Sequence, residues 1–136
     1  MEAKAVPNLT TDFAHLGPGG GATVLPPFTG MDWYEAYGAR FAADGADGRL
    51  VSMYSFGESW TSWERHPAGA ELVLCTAGSI VLIQEHEDGR LERVALGAGD
   101  YAINPPGLWH TADVGPGESA TCVFITPGLG TEHRPR

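Results

Sequence analysis

The chain has 136 residues, 43% of them hydrophobic, and a formal net charge of −9 at pH 7. This length suits one domain with a single core and excludes a second large one, while the acidic balance argues against nucleic acid as a partner. No apolar run approaches the roughly 20 residues of a membrane span, and the first residues lack the features of a secretion signal. We therefore expect a cytoplasmic protein with no membrane partner.

The first 30 residues are rich in glycine and proline, including Pro7, Pro18, Pro26 and Pro27. Proline disfavours both helix interiors and central strands, so residues 1–30 are predicted to form an arm or edge segment. From position 31 to about 43, apolar side chains recur at an approximately helical spacing and predict one short helix. With the flexible turn that follows, this unit covers residues 31–48.

After residue 48 the chain becomes a series of short apolar runs separated by glycine, proline or aspartate. These runs predict strands at about 50–56, 60–66, 71–76, 79–86, 91–96, 101–104, 109–114 and 120–126. Asp88-Gly89 favours a tight hairpin turn between the runs on either side of it. Such spacing is typical of a sandwich or barrel, here over residues 49–126, with a polar C-terminal tail at 127–136.

Cys75 and Cys122 both lie within apolar runs. Buried, reduced thiols are the default expectation for such positions in a cytosolic protein. A disulfide across adjacent strands remains the alternative.

A cluster of polar side chains is predicted at the second of these strands. Residues two apart on a strand share a face, which groups Trp60, Ser62, Glu64 and His66. The turn at 67–70 then brings Glu71 close to them. Desolvating these groups inside a barrel is costly, and a bound cation is one way to satisfy them. The alternatives are shifted pKa values and pairing with an arginine.

Two spaced motifs in the sequence resemble those of the cupin superfamily. The first cupin motif reads Gly, five residues, His-x-His, three or four residues, Glu, six residues, Gly; its counterparts are Gly57, Glu64, His66, Glu71 and Gly78. The second reads Gly, five residues, Pro-x-Gly, two residues, His; its counterparts are Gly99, Pro105, Gly107 and His110. The resemblance implies an all-β fold, a double-stranded β-helix (jelly-roll) barrel with an N-terminal arm and one short helix.

The resemblance also implies a metal site. Its ligands fall on His66, Glu71 and His110, and Glu64 stands where the family has another histidine. The chain departs from the family pattern in three places. Glu64 replaces a histidine, Val114 replaces the usual asparagine, and six residues instead of five separate Gly57 from Glu64. Two imidazoles with two carboxylates suit Mn, Fe, Ni or Zn.

Each of these residues also has a simpler interpretation. The two histidines could be core imidazoles satisfied by carboxylates, and Glu71 could be a solvent-exposed residue at a strand start. Glu64 could pair with Arg65 or another basic group, or act as a general acid or base near the site.

The alternation of side chains between the two faces of the strand also predicts the walls of a ligand cavity. Trp60 and Ser62 are in phase with the cluster, and aromatic residues elsewhere are further candidates for the walls, namely Tyr54, Phe56, Trp109 and Phe124. Ordinary core packing is the alternative for them.

Trp63 points to the other face, where a partner subunit could cover it. Small cupins commonly dimerise, so the resemblance implies a homodimer. His15, His86 and His133 have no partner spacing and are predicted to be surface histidines.

The predicted function is that of a small cupin that binds a divalent metal and acts on a small organic molecule. Oxygenase, isomerase and lyase chemistries all fit, with Glu64 as the catalytic base if it is not a ligand. Two alternatives remain: a non-catalytic small-molecule-binding module, and a barrel that has lost its metal.

Overall fold

A computed structural model describes residues 5–136, which form ten strands and one α-helix. The helix, α1, spans Met31–Arg40. The strands, β1 to β10 in chain order, are Ala14–Leu16, Ala22–Val24, Arg49–Phe56, Ser62–Arg65, Glu71–Glu85, Leu91–Gly97, Tyr101–Asn104, Trp109–Asp113, Ala120–Thr126 and Glu132–Pro135. Short 3-10 helices occupy Pro18–Gly20 and Ala42–Asp47.

All strand pairs are antiparallel, and they form two layers that share β5. Strands β10, β4 and β8 lead to β5 on one side, and β9, β3, β1 and β2 follow it on the other, while β6 and β7 also pair with β5. This arrangement confirms the predicted all-β jelly-roll barrel. The predicted hairpin also forms, because β5 and β6 pair from Glu85↔Leu91 onward and Gly89 adopts a φ of 84° at the turn.

Strand β5 corrects one expectation about the barrel. Two strands were predicted at 71–76 and 79–86, but the structure has one strand of 15 residues. Its first half pairs with β7 and β9, and its second half with β6 and β8. A register shift between Cys75 and Ala77, followed by Gly78 at a φ of 74°, bends the strand so that it can cross between layers.

The arm and tail contain strands that the sequence did not reveal. Strand β1 lies between β2 and β3, and β10 pairs with β4 from Glu132↔Arg65 to Pro135↔Ser62. These strands are three or four residues long and are flanked by glycine or proline. Such short segments carry too few positions for a period of two to stand out.

Buried apolar side chains form two clusters. One fills the barrel, with Val73, Leu82, Ala112, Cys122 and Phe124 among its members. The other joins the arm and α1 to β3 through Phe13, Leu25, Trp33 and Leu50. The helix is thus anchored by Trp33, whose Nε1 also donates a hydrogen bond to the Pro26 carbonyl at 3.0 Å.

His15 belongs to this second region, and its prediction as a surface histidine is wrong. It is only 3% exposed. Its Nδ1 lies 2.6 Å from the Tyr37 hydroxyl and its Nε2 2.6 Å from Asp44 Oδ2. The imidazole therefore ties β1 to α1 and to the 3-10 helix that follows it, a long-range role that no local spacing indicates.

Cys75 and Cys122 lie directly opposite each other in the β5–β9 register, and both are free and buried. Burial, reinforced by the neighbouring thiol, raises the pKa of Cys122 to about 12. The structure confirms that both thiols are buried, and their reduced state stays a prediction. Among residues 5–136, no helix has the length and hydrophobicity needed to cross a membrane.

Candidate metal centre

Four polar side chains converge at one end of the barrel. Glu64 lies on β4 directly opposite His110 on β8, His66 follows β4, and Glu71 begins β5. One ligand atom from each lies within 4.8 Å of the others. The period of two on β4 and the short turn before β5 bring Glu64, His66 and Glu71 together, as predicted from the alternation of side chains. The β4–β8 pairing adds His110, which the cupin resemblance implied.

The distances between these atoms suit a single bound ion. His66 Nε2 lies 3.2 Å from Glu71 Oε2, and His110 Nε2 lies 3.1 Å from Glu71 Oε1. Glu64 Oε1 is 3.6 Å from the first nitrogen and 3.5 Å from the second. Ligands held at 2.0–2.2 Å around one ion are about 3.0–3.5 Å apart, so the cluster has the spacing of a coordination shell.

In each imidazole, Nδ1 forms a hydrogen bond away from the cluster, and Nε2 faces the cluster. His66 Nδ1 lies 2.8 Å from Thr131 Oγ1, which itself donates to the Gly128 carbonyl, so the imidazole is the donor. His110 Nδ1 lies 3.1 Å from the Leu108 carbonyl, which can only accept. In its neutral form, each ring therefore presents an unprotonated Nε2 to the centre, the form in which histidine binds metals.

Both inward nitrogens are buried and unsatisfied. Within residues 5–136, neither His66 Nε2 nor His110 Nε2 has a hydrogen-bond partner of acceptable geometry, although carboxylate oxygens are near. The nitrogens and oxygens point toward a shared centre and not along hydrogen bonds with each other. Buried polar groups are seldom left unpaired, so this arrangement fits residues that hold a cation.

Glu71 is fixed by neighbours on two other strands. Its Oε1 accepts a hydrogen bond from Asn104 Nδ2 at 3.1 Å, and its Oε2 accepts one from Thr126 Oγ1 at 2.6 Å. Asn104 is oriented in turn by Gln84, whose Nε2 donates to Asn104 Oδ1 at 2.8 Å. A ligand oriented in this way keeps its geometry before an ion arrives.

The electrostatics of the cluster reflect two buried carboxylates facing two imidazoles. Burial alone would lower the pKa of the two histidines, but Glu64 and Glu71 outweigh it and raise the pKa of His66 to about 9 and of His110 to about 10. Burial alone would raise the pKa of the two glutamates, but the imidazoles hold the pKa of Glu64 at about 2 and lower that of Glu71 further. Both carboxylates are thus ionised and available as ligands.

Glu64 is the most accessible member of the cluster. Its side chain is 23% exposed, against 2% for Glu71. Its Oε1 faces the imidazoles, whereas its Oε2 lies 3.3 Å from Nε2 of His133 on β10. His133 is exposed, as predicted, but it also reaches the centre through a strand that the sequence did not reveal.

The centre opens into a cavity of about 930 Å³. Four of the predicted substrate-binding residues line it, namely Trp60, Ser62, Tyr54 and Phe56, together with Phe124. Glu64, His66 and Glu71 lie in the same wall. Three of the predicted metal ligands and four of the five predicted substrate-binding residues thus surround one cavity.

Trp109 does not line this cavity. Its ring lies on the outer face of the sheet, where the guanidinium carbons of Arg65 and Arg134 each stand 4.6 Å from the ring centroid. Since neighbouring residues on a strand point to opposite faces, the inward position of His110 sends Trp109 outward. Trp63 shares this outer face, with Arg134 at 5.1 Å from its ring.

The sequence missed several residues around the site. Helix α1 lines the cavity through Met31, Tyr34 and Gly38, and Phe41, which follows the helix, lines it too. The helix was predicted from the spacing of its apolar side chains, but none of its residues was placed in the site. Asn104, Thr126 and Thr131 carry no local signal, because each meets its partner across strands distant in sequence.

No protein-family model and no curated protein sequence matches the chain. Solved structures do resemble it. An oxalate oxidase is 19% identical with a TM-score of 0.51, over 61% of this chain and 44% of that one. Bacillus subtilis oxalate decarboxylase, studied for its Mn(II) centres, is 15% identical with a TM-score of 0.55, over 72% of this chain and 26% of that one.

A recombinant oxalate oxidase in complex with glycolate is also similar, at 19% identity and a TM-score of 0.52, over 62% of this chain and 45% of that one. The chain therefore spans less than half the length of these proteins. These neighbours are cupin proteins, and the chain has the cupin fold that its two motifs predicted.

Proposed function

We propose that the protein binds one divalent transition-metal ion, Mn, Fe, Ni or Zn, through Glu64, His66, Glu71 and His110, and transforms a small organic molecule in the adjoining cavity. The observation that carries this proposal is the convergence of two buried imidazole nitrogens and two carboxylates, whose ligand atoms all lie within 4.8 Å of one another. Mixed imidazole and carboxylate ligands suit these metals better than thiophilic ones.

The reaction proposed is of the oxygenase, isomerase or lyase type. A bound metal would supply a Lewis acid that polarises a carbonyl or hydroxyl oxygen of the substrate. The aromatic walls would orient the substrate and exclude water from the centre. Thr131, Asn104 and Thr126 would keep His66 and Glu71 in place throughout turnover.

Glu64 is the residue we propose for proton transfer. It lines the cavity, it is ionised, and its Oε2 does not face the two imidazoles. A carboxylate in this position can accept a proton from a substrate carbon or hydroxyl at Oε2. His133, 3.3 Å away, stabilises the carboxylate from the solvent side.

Metal analysis of protein purified without an affinity tag tests the centre. We expect about one equivalent per chain in the wild type and loss of the metal in His110→Ala, because each ligand contributes to a shared shell. His86→Ala, a histidine beside a hairpin turn and outside the cluster, is the matched control and should retain the metal. Sub-stoichiometric metal in the wild type would contradict the proposal.

Glu64→Gln separates ligation from proton transfer. If it keeps the metal and loses turnover in a panel of oxygenase, isomerase and lyase substrates, the residue acts as the base. If it loses the metal, the residue is a ligand.

A non-catalytic binding module is the second candidate, and the large apolar cavity favours it. Such a module would show ligand-induced stabilisation but no metal-dependent turnover.

We also propose that the protein is a cytoplasmic homodimer. The outer face of the β3–β9–β5–β7 layer is apolar, with Val51, Met53, Val123, Ile125, Leu72, Leu74, Tyr101 and Ile103 adjacent in the strand register. Tyr101 and Ile103 are 62% and 45% exposed. A continuous apolar face of this kind supports burial against a second copy, and the free thiols support a reducing compartment.

The oligomeric state can be measured by size-exclusion chromatography with light scattering. We expect a dimer for the wild type and a monomer for Ile103→Glu, which places a charge in the apolar face. Leu91→Glu, at an exposed position on β6, is the control and should remain dimeric. A monomeric wild type would contradict the homodimer.

A further inference from the structure

Several aromatic rings line the cavity beside the metal centre. Phe28, Tyr34, Tyr54, Phe56, Trp60 and Phe124 all contribute to its wall. Its volume of about 930 Å³ lies in the range of sites that hold drug-sized ligands. A two-carbon acid would leave most of this aromatic surface without a contact, so the cavity is shaped for a larger, ring-containing molecule.

Among the residues that the structure describes, none supplies the cavity with a guanidinium or ammonium group, the groups that commonly bind organic anions. Of residues 5–136, no lysine or arginine lines it, whereas Glu58, Glu64 and Glu71 do. The nearby arginines bind carboxylates elsewhere: Arg65 pairs with Glu132 at 3.0 Å, and Arg136 with Asp113 at 2.7 Å. An anionic ligand would therefore meet no guanidinium fork of the kind that usually binds carboxylates.

A bound metal would not restore a net positive charge. The cluster contributes two carboxylate ligands, whose formal charge would offset that of a divalent ion. The chain as a whole carries a formal charge of −9, which adds repulsion at longer range. The electrostatics of the site thus favour a neutral ligand.

Two tyrosines provide a polar anchor in this apolar space. The hydroxyl of Tyr34 on α1 is hydrogen-bonded to the hydroxyl of Tyr54 on β3, and both residues line the cavity. In such a pair one hydroxyl donates to the other. The accepting hydroxyl still has its own proton, which it can donate to a ligand oxygen. Burial raises the pKa of both tyrosines, which keeps them neutral donors.

We propose that this site takes a neutral, aromatic molecule bearing a hydroxyl or carbonyl oxygen, which the Tyr34–Tyr54 hydroxyl pair holds, and that it discriminates against organic anions. This inference rests on the proposed function, because it concerns the substrate class of the same cavity. It assigns to α1, through Tyr34, a direct part in ligand binding.

Isothermal titration calorimetry on the full chain, with and without metal, tests the proposal with three probes. These are 2-naphthol, 2-naphthoate, which has the same ring system with a negative charge, and oxalate. We expect 2-naphthol to bind at least about ten-fold more tightly than 2-naphthoate, and oxalate to give no binding heat. Equal or tighter binding of either anion, or no binding of 2-naphthol, would overturn the proposal.

Tyr34→Phe and Tyr54→Phe test the anchor. Each removes one hydroxyl and keeps the ring, so we expect 2-naphthol binding to weaken by about 3- to 10-fold. Tyr101→Phe, on the outer face of β7, is the matched control and should leave binding unchanged. Unchanged binding in both cavity variants would overturn the role of the hydroxyl pair.

This experiment distinguishes failure of the inference from failure of the proposed function. A protein that holds its metal and turns over a substrate but prefers oxalate contradicts only the inference. A protein that binds 2-naphthol selectively but never retains metal contradicts only the proposed metal-dependent function.

Discussion

Asn104 lies directly opposite Glu71 in the β5–β7 register, and its Nδ2 donates a hydrogen bond to Glu71 Oε1 at 3.1 Å. Both side chains are buried, at 1% and 2% exposure. One strand pair thus supplies both a proposed metal ligand and the group that orients it. The carboxylate can then use both of its oxygens toward the imidazoles without rotating.

Asn104→Ala should weaken metal binding while leaving all four ligands in place. Removal of an orienting hydrogen bond from a metal ligand typically lowers affinity by about 10- to 100-fold. Competition with a chromogenic chelator measures the effect, and circular dichroism checks that the fold persists. Asn8→Ala, in the N-terminal turn, is the control. A wild-type affinity in Asn104→Ala would mean that Thr126 alone orients Glu71.

Metal binding should release protons and become tighter as the pH rises. In the metal-free protein the pKa values of His66 and His110 are raised to about 9 and about 10, so both imidazoles are protonated near neutral pH. Ligation requires neutral imidazole, so about two protons should be released per ion. The gain in affinity with pH should therefore diminish above the pKa of His66 and end above that of His110.

Calorimetry in buffers of different ionisation enthalpy counts the released protons. Glu64→Gln provides a further check, since loss of one carboxylate lowers both histidine pKa values and should reduce proton release near neutral pH. Metal binding independent of pH from about 7 to 10 would contradict imidazole ligation.

The sequence predicted the centre better than its surroundings. Glu64, His66 and Glu71 were identifiable because local spacing on strands and turns fixes which side chains share a face, and His110 because it matches the second cupin motif. Thr131 and His133 were not, because they reach the site only when the polar tail adds β10 to the edge of β4. That pairing depends on the geometry of the whole barrel and not on any short-range pattern.

The walls of the cavity show the same limit. Trp60 was predicted from the alternation of side chains on its strand, Tyr54 and Phe56 were further aromatic candidates, and all three line the cavity. Trp109 was another aromatic candidate, although its position next to His110 places it on the opposite face. Tyr34 was recognised as part of a helix, but the docking of α1 over the barrel could not be derived from the periodicity of the helix itself.

The two cysteines should be unreactive in the native protein. Both are fully buried, and with a pKa of about 12 only about 10⁻⁴ of Cys122 would be thiolate near pH 8. We expect almost no reaction with a thiol reagent before denaturation and two thiols per chain after it. If no thiols appeared after denaturation without reductant, Cys75 and Cys122 would be a cross-strand disulfide.

Gly78 should be the least replaceable glycine at the bend of β5. Its φ is 74°, and a Cβ atom added there would lie 1.9 Å from the Ser119 carbonyl oxygen on the neighbouring backbone. Gly89 has a similar φ of 84° at the β5–β6 hairpin, but a Cβ atom there would meet nothing within 4 Å. The two positions therefore separate the energy of a left-handed backbone from that of a steric overlap.

Urea denaturation of Gly78→Ala and Gly89→Ala measures this difference. Gly89→Ala should lower the free energy of unfolding by about 1 kcal/mol, the strain of a left-handed conformation. Gly78→Ala should lower it by about 3 kcal/mol or more, because β5 and the chain around Ser119 must also move apart. Equal losses of free energy in the two variants would contradict this prediction. They would show that the bend in β5 accommodates a Cβ atom at Gly78 without a clash with the Ser119 backbone.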